Sequence, residues 1–257
     1  NIIKLKRSPY TSARVSVQRG KLYGSKNIKS LAQLSFDELI RYLEEHGFRS
    51  SVDKSYLQYE GFYLIERILN DHLSLIYQKV FSMNSKNNRL FLETYYLKYQ
   101  IHNLMAVVRC RIAKEKDIES FLIGSERKKS KFVKAYGMPN FEDALIYLSK
   151  KLGFNEKDVI EKHKMGVFEL ENYLYKKYYE KLYSTRFTYN GKDEKYFFRY
   201  IRVYIDLLNA RTLLKLKAES LFENFNEMFI AGGYLDRKYF DNLGASSIDD
   251  CLKTFSK

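Results

Sequence analysis

Along nearly the whole of this chain, apolar and polar residues alternate with the period of an α-helix. From Tyr196 to Lys217, apolar side chains fall at Tyr200, Val203, Leu207, Ala210 and Leu214. That i, i+3, i+7 spacing predicts one buried helical face. No Pro or Gly interrupts the stretch. Arg199, Arg202, Asp206, Arg211 and Lys215 are too many charges for a membrane span.

The same helix is written twice. Phe91 to Arg111 stands 106 positions earlier, with Phe91 over Phe197, Asn103 over Asn209, Val107 and Val108 over Leu213 and Leu214, Arg109 over Lys215 and Arg111 over Lys217. The register holds back to Phe62 over Phe168, through Leu64 over Leu170 and Tyr77 over Tyr183. The loop from Met83 follows it too, with Asn84 over Asn190 and Lys86 over Lys192. Two helices and their loop in one common register predict an internal repeat.

A third element extends the pattern. Ser35 to Glu38 has the spacing of a capping box, with Leu34 and Leu39 placed as a hydrophobic staple. Asn140 to Asp143 and Ser247 to Asp250 occupy the same place further along. The expectation is an all-α chain of tandem repeats of about 106 residues. Its parts are residues 1–125, residues 126–244 and the opening of a third repeat at 245–257. With Asn1 in first place and the third unit cut off at Lys257, the chain reads as a fragment or a processed product.

The elements predicted in order begin with a lead-in from Ile2 to Arg7 and a helix from Tyr10 to Tyr23, with Arg14, Gln18 and Lys21 on one side. Ser35 to Glu45 is the first capped helix, stopped by Gly47. Helices at Gly61 to Val80 and Arg89 to Lys114 flank a polar loop at Ser82 to Asn88. Lys131 to Tyr136, Phe141 to Leu152, Val167 to Tyr183 and Tyr196 to Lys217 follow the same plan.

Composition narrows the classes. The 257 residues include 23 Tyr, 18 Phe and 2 Pro, with no Trp, and few consecutive β-branched residues, which argues against a sheet protein. Cys110 and Cys251 do not correspond in the repeat and read as reduced thiols of a cytosolic protein. A net charge of +14 admits nucleic acid, anionic lipid or an acidic protein as partner. The densest run, Glu126 to Lys131, leads straight into Phe132 and Val133, as a helix start does.

A search for chemistry returns no active-site constellation. His46, His72, His102 and His163 share no i, i+4 spacing and no partner cysteine, so neither a metal nor a cofactor is expected. Gly232 and Gly233 follow a helix and fit a turn, not a phosphate loop. Tyr and Phe interleaved with Lys suit base stacking, but recurrence at positions such as Tyr77 and Tyr183 points to packing. Asp206 and Asn209 keep two readings open: buried hydrogen bonds between elements, or a surface facing a partner.

Tyr10 to Val15, Asp206 to Asn209 followed by Leu214 to Lys217, and Phe229 to Leu235 come in an order that resembles the C subunit of archaeal-type (A/V-type) rotary ATPases, known as the d subunit in the vacuolar enzyme. The resemblance covers essentially the whole chain. It implies three similar repeats around a pseudo-threefold axis, forming a funnel without an active site. It also implies a non-catalytic central-stalk subunit on the cytoplasmic face of the membrane, seated on the rotor ring and receiving the foot of the central axle. A protein so placed couples ATP chemistry to proton or sodium ion movement. The partner-binding candidates are Arg14, Asn103, Asp206, Asn209, Arg211, Lys215, Gly232 and Gly233. The competing reading is a basic helical-repeat module for nucleic acid, which requires Lys and Arg gathered on one face.

Overall fold

Every regular element among the described residues is helical, as the periodicity predicts. The computed structural model describes residues 9–20, 22, 24–84, 86–189 and 192–255. The predicted lead-in from Ile2 to Arg7, together with Lys21, Tyr23 and Asn190, lies outside them. The first helices are α1 (Pro9–Arg19), α2 (Ser25–Leu31), α3 (Phe36–Leu43), α4 (Arg49–Ser55), α5 (Gly61–Met83), α6 (Lys86–Ala113), α7 (Glu126–Tyr136) and α8 (Phe141–Leu152). They are followed by α9 (Glu156–Met165), α10 (Val167–Ser184), α11 (Lys192–Ala218), the single turn α12 (Phe225–Met228), α13 (Arg237–Gly244) and α14 (Ile248–Phe255).

Local chemistry dictates many of the helix ends. At α3, Glu38 accepts from the Ser35 N–H at 2.8 Å, completing a capping box. At α8, the Asn140 side chain accepts from Glu142 N at 2.8 Å, and Gly153 closes the far end in the left-handed region with φ +76°. At α14, Asp250 N donates to Ser247 Oγ at 3.1 Å. Gly47, at φ +96°, takes the left-handed turn after α3. The charged run at Glu126 does open a helix, α7.

The short helices α2, α4, α9 and α13 are absent from the periodicity. Each offers two or three turns, too few for a stripe to stand out. In α9 the one buried residue is Val159. The polar loop predicted at Ser82 to Asn88 is shorter than expected, because α6 already begins at Lys86.

The chain divides into two compact units, Lys6–Leu92 with Tyr96–Glu156, and Glu93–Tyr95 with Lys157–Lys257. In the first, Ile40, Leu43, Phe48, Val52, Leu64 and Ile68 form a core cluster. There α7 is pinned to α5 by charge. Lys129 Nζ lies 3.6 Å from Asp71 Oδ1, and Arg67 Nε lies 3.3 Å from Asp71 Oδ2, all three residues being buried. In the second unit, Leu213 and Leu216 of α11 meet Phe225, Phe240 and Cys251 from α12, α13 and α14. Burying each such side chain stabilises the fold by about 1.5–3 kcal/mol. The unit limit at Glu156 reflects density of packing and does not coincide with the repeat boundary expected at residue 125.

One expectation is overturned. Of the face expected to be buried on α11, Tyr200, Val203 and Leu207 are 57%, 49% and 62% exposed, and only Ala210 and Leu214, further along it, are half-buried against the Leu213 cluster. The buried face is Phe198, Ile201, Ile205, Asn209, Leu213 and Leu216. Both faces have helical spacing, and periodicity alone does not say which one finds a cover.

Candidate partner surface

The C-terminal half of α11 and the loop after α12 form one polar assembly, built from residues on successive turns. Asn209 Nδ2 donates to Ile230 O at 2.9 Å, and Asn209 Oδ1 accepts from Ile230 N at 2.9 Å. One turn back, the Asp206 carboxylate accepts from Tyr234 N at 2.8 Å and from Leu235 N at 3.1 Å. A further turn back, Arg202 Nη2 donates to Gly233 O at 2.8 Å while its guanidinium lies 3.8 Å from the Tyr234 ring centroid. Spacings of four and three place these side chains on one flank of the helix.

The loop needs its glycines. Gly232 has φ +113°, and an added Cβ would strike the Tyr183 ring. At Gly233 the same atom would run into the Asp206 carboxylate. The turn predicted for this pair is present, and Asp206 shapes it.

The first unit contains the same clamp. Asn103 Nδ2 donates to Ile123 O at 2.8 Å, and Asn103 Oδ1 accepts from Ile123 N at 2.9 Å. Here Tyr96 Oη and Ser74 Oγ do the neighbouring work, on Ile123 O at 3.2 Å and Gly124 N at 2.7 Å. Burial pushes the Tyr96 hydroxyl up to about 12, so it remains a donor throughout the physiological range. The last residues of the paired helices also act alike. Arg111 donates to the Tyr136 and Met138 carbonyls at 2.9 and 2.7 Å, while Lys217 donates to those of Gly244 and Ser246.

The eight candidates therefore separate. Asn103 and Asn209 are 0% and 1% exposed and are engaged in buried hydrogen bonds, as one of the two readings left open for Asn209 expects. Asp206, Gly232 and Gly233 are half-buried and shape the loop. Arg211 and Lys215 are exposed on α11, with Lys215 Nζ 4.4 Å from the Phe168 ring centroid. Arg14 is exposed on α1, where it donates to Tyr10 Oη at 3.0 Å. Sequence reasoning missed the roles of Arg202 and Tyr183 in the loop. The signal that was available is the position of Arg202 one turn before Asp206.

A cleft of about 240 Å³ is lined by Glu66, His102, Cys110 and Phe121 among others, but burial pushes the Cys110 thiol up to about 11 and leaves it protonated. Among the described residues, no group of three or more His, Cys, Asp or Glu is placed to hold a metal ion. Nor is any described helix long and apolar enough to cross a membrane.

Residues 11–257 match the family model of the ATP synthase (C/AC39) subunit. The chain belongs to this family. It is 25% identical over 250 residues to the C subunit of the A-type ATP synthase of Archaeoglobus fulgidus, an alignment that takes in 95% of this chain and 71% of that protein. The corresponding C subunit of Methanosarcina acetivorans is 27% identical over 210 residues, covering 81% of this chain and 58% of the relative. That of Thermococcus kodakarensis is 25% identical over 231 residues, covering 88% and 62%. The chain thus spans between 58% and 71% of the length of these relatives. In this member of the C/AC39 family, the motif from Asp206 to Asn209 and the motif from Phe229 to Leu235 are two halves of one hydrogen-bonded assembly.

Proposed function

We propose that the chain serves as a non-catalytic central-stalk subunit of a rotary A/V-type ATPase, passing torque between the central axle and the membrane rotor ring during ATP-linked proton or sodium ion transport. The observation that carries this reading is the family match through residues 11–257. The duplicated Asn103 and Asn209 clamps support it mechanically. Each ties a long helix to a loop some twenty residues downstream through two buried hydrogen bonds, and buried, fully satisfied polar groups stiffen a fold. A part that transmits torque needs such stiffness.

In this reading the two repeats, 1–125 and 126–244, and the opening of a third at 245–257 form part of the wall of a pseudo-threefold funnel. The protein sits peripherally at the cytoplasmic face of the membrane, where its net charge of +14 favours anionic headgroups. The test is a pull-down of the tagged chain from solubilised membranes of its source, with the captured proteins identified by mass spectrometry. Recovery of axle subunits and ring protein is the expected result. Recovery of RNA or unrelated soluble proteins in their place would leave only shared ancestry.

A further inference from the structure

The exposed face of α11 has a chemical meaning. Tyr196, Tyr200, Val203 and Leu207 are 69%, 57%, 49% and 62% exposed. Successive spacings of four, three and four residues set them in one straight stripe along the helix. Single exposed apolar residues are ordinary, whereas a contiguous stripe marks an interaction surface.

Two further observations define what covers it. First, Leu97 and Ile101, which stand 106 positions before Val203 and Leu207 on α6, are 7% and 0% exposed. The same register is thus used for burial once already within this chain. Second, the stripe is edged by cations. Lys195 and Arg199 flank one side, Arg211 and Lys215 the other, and all four are exposed. Among the described residues, neither Arg199 nor Arg211 has a carboxylate within ion-pair distance. Asp206, the acidic residue nearest Arg211 along the helix, is engaged by Tyr234 N and Leu235 N, and Glu194, nearer Arg199, is buried.

We propose that this face of α11 docks an amphipathic helix from outside these 257 residues, one whose apolar stripe is edged on both sides by Asp or Glu. Straight stripe meets straight stripe along a helix–helix contact, and the arginines supply orientation and partner choice as flanking charges do in paired helices. A second copy of this chain is the poorer occupant. Two such stripes face to face would set Arg199 and Arg211 of one copy against the same arginines of the other. The proposal stands on these residues alone and does not depend on the rotary reading.

The test uses the 257-residue chain and two fluorescent helix-forming peptides of about three heptads with an identical Leu stripe. One has Glu on both flanks, the other Lys. The expected result is saturable binding of the Glu peptide, at least about tenfold tighter than the Lys peptide at low salt. Leu207→Asp should weaken it about tenfold or more. Leu57→Asp, at a residue 92% exposed in the other compact unit, should leave it unchanged. The double variant Arg199→Glu/Arg211→Glu should reverse the preference between the peptides. Because all substituted residues are exposed, circular dichroism should report folded variants throughout. Absence of saturable binding, equal binding of both peptides, or binding untouched by Leu207→Asp overturns the proposal. So does self-association abolished by Leu207→Asp, which would make the occupant a second copy. Binding to phosphatidylserine vesicles in place of the Glu peptide would make it a lipid surface, with the same consequence.

Discussion

Asn209 holds Ile230 by both of its backbone groups, donating to the carbonyl and accepting from the N–H, each at 2.9 Å. Both residues are buried, so water does not replace either bond when the side chain is cut back. Asn209→Ala leaves a buried donor and a buried acceptor unsatisfied, each worth about 1–3 kcal/mol. The expected loss is about 2–5 kcal/mol in urea unfolding. Native-state hydrogen exchange should show the Ile230 N–H opening faster in the variant. Asn103→Ala should behave alike at Ile123, because its geometry is the same. Losses below about 0.5 kcal/mol, the size of an ordinary surface substitution, would contradict the clamp.

Gly232 faces a similar penalty from a different source. At φ +113° any side chain is strained, and the new Cβ would also press on the Tyr183 ring. Gly232→Ala should therefore destabilise by about 1–3 kcal/mol. The two causes separate in a double-mutant cycle with Tyr183→Ala. Removing the ring relieves the clash but not the backbone strain, so the expected rescue is partial. Full rescue would mean that the ring alone sets the requirement; no rescue would place it wholly in φ.

What is legible in the sequence is what local chemistry controls. Ser35, Asn140 and Ser247 are recognisable as caps because the groups they bond lie two or three residues away. Gly47 is legible as a helix stop for the same reason. The pairing of Asn103 with Asn209 is visible as recurrence, but not its purpose, since the bonded Ile123 and Ile230 lie about twenty residues downstream in loops. The stripe through Tyr200, Val203 and Leu207 is visible, and its exposure is not. Periodicity records that a face is apolar, whereas burial depends on what packs there, and α11 has a second apolar face through Ile201, Ile205 and Leu213. Short α4 and α13 escape detection because two turns carry too little period.

The buried charges between α5 and α7 give a prediction whose sign runs against intuition. Asp71 stands between two buried cations, Arg67 and Lys129. Burial, and then the Arg67 guanidinium, push the Lys129 ammonium below its usual range, with Asp71 opposing them. Asp71→Asn removes the carboxylate shared by both cations, leaving Lys129 only the exposed Glu126 at 3.9 Å, and should cost about 3–5 kcal/mol. Lys129→Met keeps the stem's packing and takes away the less favourable charge; it should be neutral or stabilising by up to a few kcal/mol. Thermal or urea unfolding that ranks Lys129→Met below Asp71→Asn would show that the lysine's ion pair outweighs its desolvation.

Lys131 supplies the pH dependence. Burial first, then Lys128 and Lys151, hold its ammonium down to about 8 from an unfolded value near 10.5. Below the folded value the lysine is charged in both states, and the folded protein bears the full penalty of burying that charge. Between about 8 and 10.5 the unfolded chain binds a proton that the folded chain has released, so stability from this group rises with pH. The rise is confined to that window and ends once both states are neutral. Tyrosines such as Tyr59, raised to about 12 mainly by burial, act oppositely above pH 10, where the unfolded chain ionises first. The clean measurement is therefore a difference: urea unfolding of the parent chain and of Lys131→Met at intervals from pH 7 to pH 10. The variant should be the more stable at pH 7, and its advantage should shrink steadily above pH 8. An advantage that stays constant across the range would mean that Lys131 is destabilising for reasons of shape, with its charge already solvated.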